Sequence, residues 1–202
     1  LDLKSGLLKR SLAFLDKLNN TKFREEISNL LDYGMMRYKD MYANHDENNL
    51  VLYGKYSRKD VCRLMNWDKD ESSTMYGYRI KHGTCPIFVT YEKKDDISES
   101  TKYEDQFINQ KTFSWLTRSN VAIDNRESQE IINYKNSGLK IVLFIKKSDG
   151  EGTDFYYMGE VVPKSWMQKT IKNNKGKELP IMNFIFELEH SVREDIYEYL
   201  TN

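Results

Sequence analysis

The sequence predicts an α+β protein, in which an N-terminal helical hairpin precedes a mixed, mostly antiparallel curled sheet with flanking helices. Two observations carry this prediction. Leucine and methionine recur at three- and four-residue spacing through the first forty residues, as along one side of an amphipathic helix. After residue 49 the chain instead contains short runs rich in aromatic and β-branched residues, separated by polar turns, which is typical of strands. We place the boundary between residues 1–49 and 50–202, at the polar run NHDENN.

Two helices are predicted within residues 5–43. The first is expected to end at Asn19-Asn20, and Thr21 is expected to cap the second. Their apolar residues recur on one side of each helix: Leu7, Leu8, Leu12, Leu15 and Leu18 in the first, and Phe23, Ile27, Leu30, Leu31 and Met35 in the second. We expect these faces to pack on each other and on the following domain.

Two predicted strands, residues 77–82 and 85–91, are joined by a tight turn and form the centre of the sheet. Alternation places Tyr78 on one side and puts Arg79 and Lys81 on the other. Rings for bases and cations for phosphates suit a surface that binds nucleic acid. The same residues are also ordinary on a solvated sheet face.

The remaining elements of the sheet domain follow in order along the chain. We predict a helix over residues 58–66 capped by Ser57, strands over 111–116, 139–145, 155–162 and 178–188, and helices over 125–134 and 192–200. Phe113 and Trp115 are expected to share one face of their strand.

Composition limits the function. With 31 basic and 31 acidic residues the net charge is zero, which argues against a globally basic nucleic-acid binder but allows a local basic surface. Cys62 and Cys85 lack the spacing of a zinc site, so we expect reduced thiols in the cytoplasm and no metal. No apolar run is long enough to span a membrane. The first residue is Leu1, and we expect a module of a longer chain.

The strongest one-sign charge run is residues 164–177, where Lys164, Lys169 and Lys172 occur with Trp166 and no acid intervenes. We interpret this run as a basic loop that reaches a phosphate backbone, with the tryptophan available for stacking. The alternative is a mobile loop whose lysines keep the protein soluble.

Arg58 and Lys59 lie on the predicted outer face of the helix that follows Ser57. Such a face can lie along a phosphate backbone, and it can equally be an ordinary solvated helix face.

The known nucleotide-binding and hydrolytic motifs are absent from the sequence: there is no GxxxxGK[ST], GxGxxG, GxSxG or HExxH. We therefore expect no cofactor in this fragment. One weak catalytic pattern remains, because Glu92 and Lys94 form an E-x-K at the end of a predicted strand. Asp68 or Asp70 would supply the second carboxylate of a Mg²⁺-dependent nuclease. An E-x-K also arises by chance in a sequence this rich in charge.

An ordered series of short motifs resembles a bacterial domain of unknown function at the C-terminal end of DEAD/DEAH-type superfamily-2 helicases. The motifs are KYSRKDV (55–61), GY (77–78), PIFVTYEK (86–93), YEDQF (103–107), FSW (113–115) and FYYMG (155–159). The resemblance covers residues 50–162. It implies a parent chain with an ATP-dependent helicase, often with an N-terminal phospholipase-D-like nuclease, in a restriction or phage-defence system. Glu92 departs from the family pattern, in which His is common.

The combined prediction is a module that binds double-stranded DNA for a helicase–nuclease and reads a modified base or a specific site. By analogy of fold alone, we compare this module with PUA-like and SRA-like barrels. Phosphate contacts are expected from Arg58, Lys59, Arg79, Lys81 and the basic loop, and stacking from Tyr78, Trp115 or Trp166. Two alternatives remain: a protein–protein domain that couples a helicase to its nuclease partner, and a nuclease that uses Glu92 and Lys94.

Overall fold

The structure of the chain is a computed structural model that describes residues 2–4, 7–42, 50–92, 105–173 and 175–202. The chain divides into two compact units, residues 1–49 and 50–202, and each is described by itself. None of the described helices is both long enough and apolar enough to cross a membrane.

The N-terminal unit is a short β-hairpin followed by a helical hairpin. Strands β1 (Asp2–Lys4) and β2 (Leu7–Lys9) pair antiparallel, and helices α1 (Leu12–Lys17) and α2 (Thr21–Tyr42) follow. The predicted helical hairpin is confirmed. The prediction of helix from residue 5 onward is wrong, because residues 7–9 belong to a strand.

Capping side chains determine where both helices begin. The Ser11 hydroxyl accepts a hydrogen bond from the backbone N–H of Phe14, so α1 starts directly after this serine. Asn20, rather than the predicted Thr21, caps α2, because its Oδ1 accepts from the N–H of Phe23 at 3.1 Å. The rings of Phe14 and Phe23 pack edge to face with their centroids 6.1 Å apart.

The second unit is a seven-stranded sheet with four α-helices among its described residues. Its strands are β3 (Lys55–Ser57), β4 (Thr84–Glu92), β5 (Gln106–Asn109), β6 (Thr112–Leu116), β7 (Lys140–Ser148), β8 (Asp154–Lys172) and β9 (Glu178–Leu188). Its helices are α3 (Arg58–Leu64), α4 (Arg126–Ile132), α5 (Tyr134–Ser137) and α6 (Glu194–Thr201).

The sheet is mixed and mostly antiparallel, as predicted. The strand order is β4-β7-β8-β9-β6-β5, with β3 paired to the start of β8. The β4–β7 pair is parallel and the other pairs are antiparallel. Although β4 and β5 lie at opposite ends of this order, the rings of Tyr91 and Phe107 stack with centroids 6.0 Å apart. The sheet therefore curls into a half-barrel whose two ends approach each other.

Aromatic side chains pack on both faces of the sheet. Phe113 and Trp115 are buried on one face of β6, as predicted, and pack with Phe184 and Phe186 of β9 in one core cluster. Phe88, Phe144, Phe155 and Tyr56 form a second aromatic cluster, in which Phe88 contacts both other phenylalanines. Rings of this size supply a large share of the buried apolar area of a small domain.

The predicted central hairpin is only partly correct. Its turn is present: His82 and Gly83 adopt positive φ, and Lys81 and Thr84 exchange backbone hydrogen bonds of 2.9 Å. Its first half is not a strand, because pairing with β4 is limited to isolated bridges at Tyr78 and Lys81. Gly77 has a φ of 78°, which a continuous strand does not allow.

The predicted basic loop, residues 164–177, is also corrected. Most of it is the second half of β8, which pairs with β9 residue by residue as far as Lys172. Trp166, Thr170 and Ile171 are aromatic or β-branched and favour a strand, and the complementary strand Glu178–Leu188 follows directly after the turn. The lysines are therefore carried on a long β-hairpin.

Candidate nucleic-acid interface

An open groove of about 880 Å³ lies at the seam where the two ends of the curled sheet approach each other. One wall is β4, the second is the end of β6 with residues 117–119, and residues 72–78 close the third side. The floor is largely apolar and the rim is polar. The floor includes Met75, Tyr78, Phe88, Val89 and Trp115, and the rim includes Arg58, Ser73, Thr90, Asp105, Arg118 and Asp149.

Tyr78 and Trp115, which were predicted to stack on bases, lie in the floor of this groove. They are only 1% and 3% exposed, and their rings pack edge to face at 5.0 Å. The Tyr78 hydroxyl donates to Glu127 at 2.7 Å, and the guanidinium of Arg118 lies 4.5 Å above the Tyr78 ring. Arg118 in turn donates to both Glu127 oxygens at 2.6 Å. This partly buried network fixes the floor, so the two rings support the groove rather than project from it.

The ionisation of the Glu127 carboxyl makes the stability of the fold depend on pH. Burial alone would raise its pKa, but the hydrogen bonds from Arg118 and Tyr78 outweigh burial and lower the pKa below the ordinary value. Because the folded pKa is the lower one, this stabilisation is present above the unfolded pKa of about 4.3 and is lost as the pH falls through the folded pKa.

We expect Glu127→Gln to lower the free energy of unfolding by about 1–3 kcal/mol at neutral pH, since a charge-assisted pair is removed. The variant should also lose less stability than the wild type below about pH 4, because the titrating carboxyl is gone. Urea unfolding of both proteins across this pH range tests the prediction. An identical acid dependence in the two proteins would contradict it.

Arg79 and Lys81 lie beside the groove, but acids of the adjoining loop compensate their charge. Lys81 Nζ is 2.6 Å from Asp68 Oδ1 and 2.5 Å from Glu71 Oε1, and Arg79 Nε is 2.5 Å from Glu71 Oε2. Hydrogen bonds to Asp68 and Glu71 raise the pKa of Lys81. His82 contacts the same Asp68 oxygen at 3.0 Å. These ion pairs hold together the two ends of the segment 72–78, which forms the third side of the groove.

Lys59 and Lys164 are exposed and each faces a carboxylate. Lys59 lies 3.8 Å from Asp70, and Lys164 lies 3.2 Å from Glu187. Exposed pairs of this kind are weak, so both lysines remain able to exchange their partners for phosphates.

Lys169 and Lys172 lie on the outer part of the β8–β9 hairpin, residues 164–182, which we call the basic arm. From residue 164 to 172, β8 pairs only with β9, and nearly all of its side chains are exposed on both faces. Lys169 lies opposite Ile181 and Lys172 opposite Glu178, so the two cations point to opposite faces. Within the described residues, neither lysine forms an ion pair. Trp166 is 39% exposed on the same arm.

The tip of the arm is a tight turn held by one side chain. Asn173 Oδ1 accepts the backbone N–H groups of Lys175 and Lys177 at 3.0 and 2.9 Å. Gly176 adopts a φ of 73° and donates to the Asn173 carbonyl at 2.8 Å. The turn thus holds two further lysines at a defined end of the hairpin.

The residues of the nuclease hypothesis are not brought together by the described structure. Glu92 lies 3.6 Å from Lys147 at the end of β4, and Lys94 lies outside the described residues. Asp68 is bound to His82, just before the start of β4, and a strand of this length separates its ends by about 26 Å. Among the residues that the structure describes, no group of three or more His, Cys, Asp or Glu could hold a metal.

The groove also contains residues to which the sequence assigned no role in a site. Asp105, which belongs to the YEDQF motif, is positioned by accepting the backbone N–H of Leu116 at 2.9 Å. Arg118 and Asp149 are separated by thirty residues yet both reach the rim. No motif marks Arg118 or Asp149, because only the curl of the sheet brings these chain segments together.

The curled mixed sheet is similar in fold to part of a solved restriction enzyme. "DNA modification-dependent restriction endonuclease AspBHI" is similar with a TM-score of 0.50 at 12% identity, over 71% of this chain and 43% of that chain. The similarity shows a shared fold, and this chain spans less than half of that enzyme.

Two further solved structures are similar at lower scores. "MspJI Restriction Endonuclease in Complex with 27-mer Oligonucleotide" has a TM-score of 0.41 at 8% identity, over 56% of this chain and 32% of that chain. "Sulfur binding domain and SRA domain of ScoMcrA complexed with phosphorothioated DNA" has a TM-score of 0.43 at 8% identity, over 80% of this chain and 49% of that chain.

Residues 50–200 match the family described as domain of unknown function DUF3427, and the chain belongs to this family. The resemblance to a domain of unknown function is thereby confirmed at the level of the family. No curated protein matches the chain in sequence.

Proposed function

We propose that this chain is a DNA-binding accessory module that reads a modified base or a specific site in double-stranded DNA. The observation that carries this proposal is the seam groove, with its aromatic floor and polar rim, together with an arm whose Lys169 and Lys172 form no ion pair among the described residues. The groove would accept a base turned out of the duplex, and the arm would hold the phosphate backbone.

The groove has a suitable size and chemistry for a nucleotide. Its volume of about 880 Å³ lies within the range of small-molecule sites. A base needs flat apolar surfaces for its faces and hydrogen-bonding groups for its edge. The apolar floor of the groove supplies the flat surface, and polar side chains of the rim such as Thr90 supply hydrogen-bonding groups.

One chain segment connects the groove to the arm. Thr117 and Ser119 line the groove, and the Thr117 hydroxyl accepts the backbone N–H of Met182 at 3.0 Å. A little further on, the N–H of Ile123 donates to the side chain of Gln168 on the arm at 2.9 Å. The two parts of the interface therefore adjoin, which suits a ligand that engages both.

The fold similarity supports this proposal. AspBHI is a DNA modification-dependent restriction endonuclease, so a fold of this kind occurs in such an enzyme. The wider setting rests on the sequence resemblance alone: a bacterial cytoplasmic helicase, with helicase and nuclease domains in the same parent chain, in a restriction or phage-defence system.

Binding to a panel of short duplexes, plain and with modified cytosines, tests the proposal. We expect fluorescence anisotropy to report binding whose logarithm falls linearly with the logarithm of the salt concentration, because phosphate contacts release counterions. A preference of about 10-fold or more for one modified duplex would assign base reading to the groove. Absence of binding to every duplex at low salt would refute the proposal for this chain.

A second candidate function is coupling of the parent chain to a protein partner, and helix α2 favours it. This helix exposes large apolar residues in the N-terminal unit: Leu30, Leu31, Met35 and Met36 are each more than half exposed. Exposed apolar patches are a mark of protein–protein interaction sites. A domain of this kind would bind duplex DNA weakly and with little salt dependence.

A further inference from the structure

We propose that Arg58 is the anion-binding residue of the seam groove, and that the ligand of the groove is a nucleotide whose phosphate group this guanidinium binds. The inference deepens the proposed function and rests on it in placing the nucleotide in the groove. It also distinguishes Arg58 from the other cations predicted to contact DNA.

The guanidinium of Arg58 packs against two aromatic rings. Its central carbon lies 4.8 Å from the centroid of the Phe155 ring and 5.3 Å from that of Phe88, so two aromatic faces orient it. Its Nε is buried and has no hydrogen-bond acceptor, and within the described part of the chain Arg58 forms no ion pair. The side chain nevertheless lines the groove.

The other cations near the groove are compensated. Arg118 donates twice to Glu127, and Lys146 lies 2.9 Å from Asp149 and donates to the Gly152 carbonyl at 3.1 Å. Lys146 and Arg58 share the Phe155 ring, the lysine nitrogen being 5.0 Å from its centroid. Arg58 and Lys146 thus both lie near the carboxylate of Asp149.

The carboxylates of the rim are engaged elsewhere. Asp149 pairs with Lys146 and accepts the Thr90 hydroxyl at 3.4 Å, and Asp105 accepts the backbone N–H of Leu116. Burial lowers the pKa of Arg58, and the nearby charge of Asp149 opposes this effect. A guanidinium remains protonated at neutral pH under such a shift, since its pKa starts above 12.

An anion is the ligand that suits this arrangement. A guanidinium that lines a groove and forms no ion pair among the described residues can bind an anionic ligand there. Phosphate suits a guanidinium because its oxygens match two parallel N–H donors. The phosphate has two possible sources, the backbone of a nucleotide turned out of DNA and a free nucleotide, and both share this chemistry.

The test compares deoxycytidine 5′-monophosphate with deoxycytidine, which differ only in the phosphate. NMR titration of the full chain should show the monophosphate binding about 10-fold more tightly, as expected for a charge-assisted contact. Arg58→Met keeps the stem on the two rings and should abolish this preference. Arg58→Lys keeps the charge without the fork and should be intermediate. Arg63→Met, on an exposed arginine of the same helix outside the groove, is the matched control and should change nothing.

The melting temperature separates binding from packing. Because Arg58→Met removes a buried unpaired N–H, we expect its melting temperature to stay within about 4 °C of the wild type or to rise. A larger fall together with an unchanged preference for the monophosphate would assign Arg58 to packing and overturn the inference.

Duplex binding by the same variants distinguishes the sources and separates this inference from the proposed function. A loss of about 10-fold in Arg58→Met would identify the DNA backbone as the source of the phosphate. Unchanged duplex binding with a lost monophosphate preference would identify the free nucleotide. A wild type that prefers the monophosphate but binds no duplex would refute the proposed function and leave the inference standing. If Arg58→Met changes neither measurement, the inference is wrong.

Discussion

Replacing Lys169 and Lys172 by glutamate is expected to weaken duplex binding by about 60-fold or more at 0.1 M salt. The estimate follows from counterion release, since each phosphate contact contributes about 0.9 logarithmic units of affinity at this concentration and two contacts are lost. Both lysines are exposed and, among the described residues, form no ion pair, so their full charge is available to phosphates. Repulsion by the new carboxylates adds to the loss.

The slope of the salt dependence should decrease by about 2 in this double variant, because the number of released counterions falls with the number of contacts. Lys22→Glu with Lys135→Glu is the matched control, since it changes the net charge by the same amount at exposed lysines outside the arm. A control that loses as much affinity as the arm variant would mean that the arm has no special role. An unchanged slope in the arm variant would mean that its lysines do not contact phosphates.

The elements of the fold could be predicted where the sequence pattern is local. Strand β9 was predicted with its observed bounds, and the capping role of Ser57 is confirmed by its bonds to Asp60. The errors occur where a local pattern competes with another signal. At residues 7–9, leucines at helical spacing predicted a helix where the chain forms a strand. At residues 164–172, a run of lysines predicted a loop where the chain forms a strand. A run of like charge therefore does not distinguish a loop from an exposed strand.

The candidate site could be predicted less well, because it depends on contacts between distant segments. Tyr78 was correctly associated with the central sheet, but its burial follows from Trp115, Arg118 and Glu127, which are 37 to 49 residues away. Arg58 was predicted as one helix-face cation among several. Its distinct position follows only from its contacts with Phe88 of β4 and Phe155 of β8. The sequence does not show that these two strands lie against α3.

The two tryptophans predicted to stack on bases should respond to substitution in opposite ways. Trp115 is 3% exposed and packs against Tyr78, Phe184 and Phe186, so Trp115→Ala would leave a large cavity at the centre of the core. We expect a loss of about 3–5 kcal/mol in the free energy of unfolding, a large part of the stability of a domain of this size. Urea unfolding followed by circular dichroism measures this loss.

Trp166→Ala should leave stability nearly unchanged, since the side chain is 39% exposed on the arm and lies outside the core cluster. If Trp166 stacks on DNA, the same variant should weaken duplex binding by about 1–3 kcal/mol, and the loss should persist at high salt because stacking releases no counterions. Met167→Ala, at the next residue of the arm, controls for loss of apolar contact. Wild-type affinity in Trp166→Ala would restrict the arm to electrostatic contacts, and native stability in Trp115→Ala would contradict the packing of the groove floor.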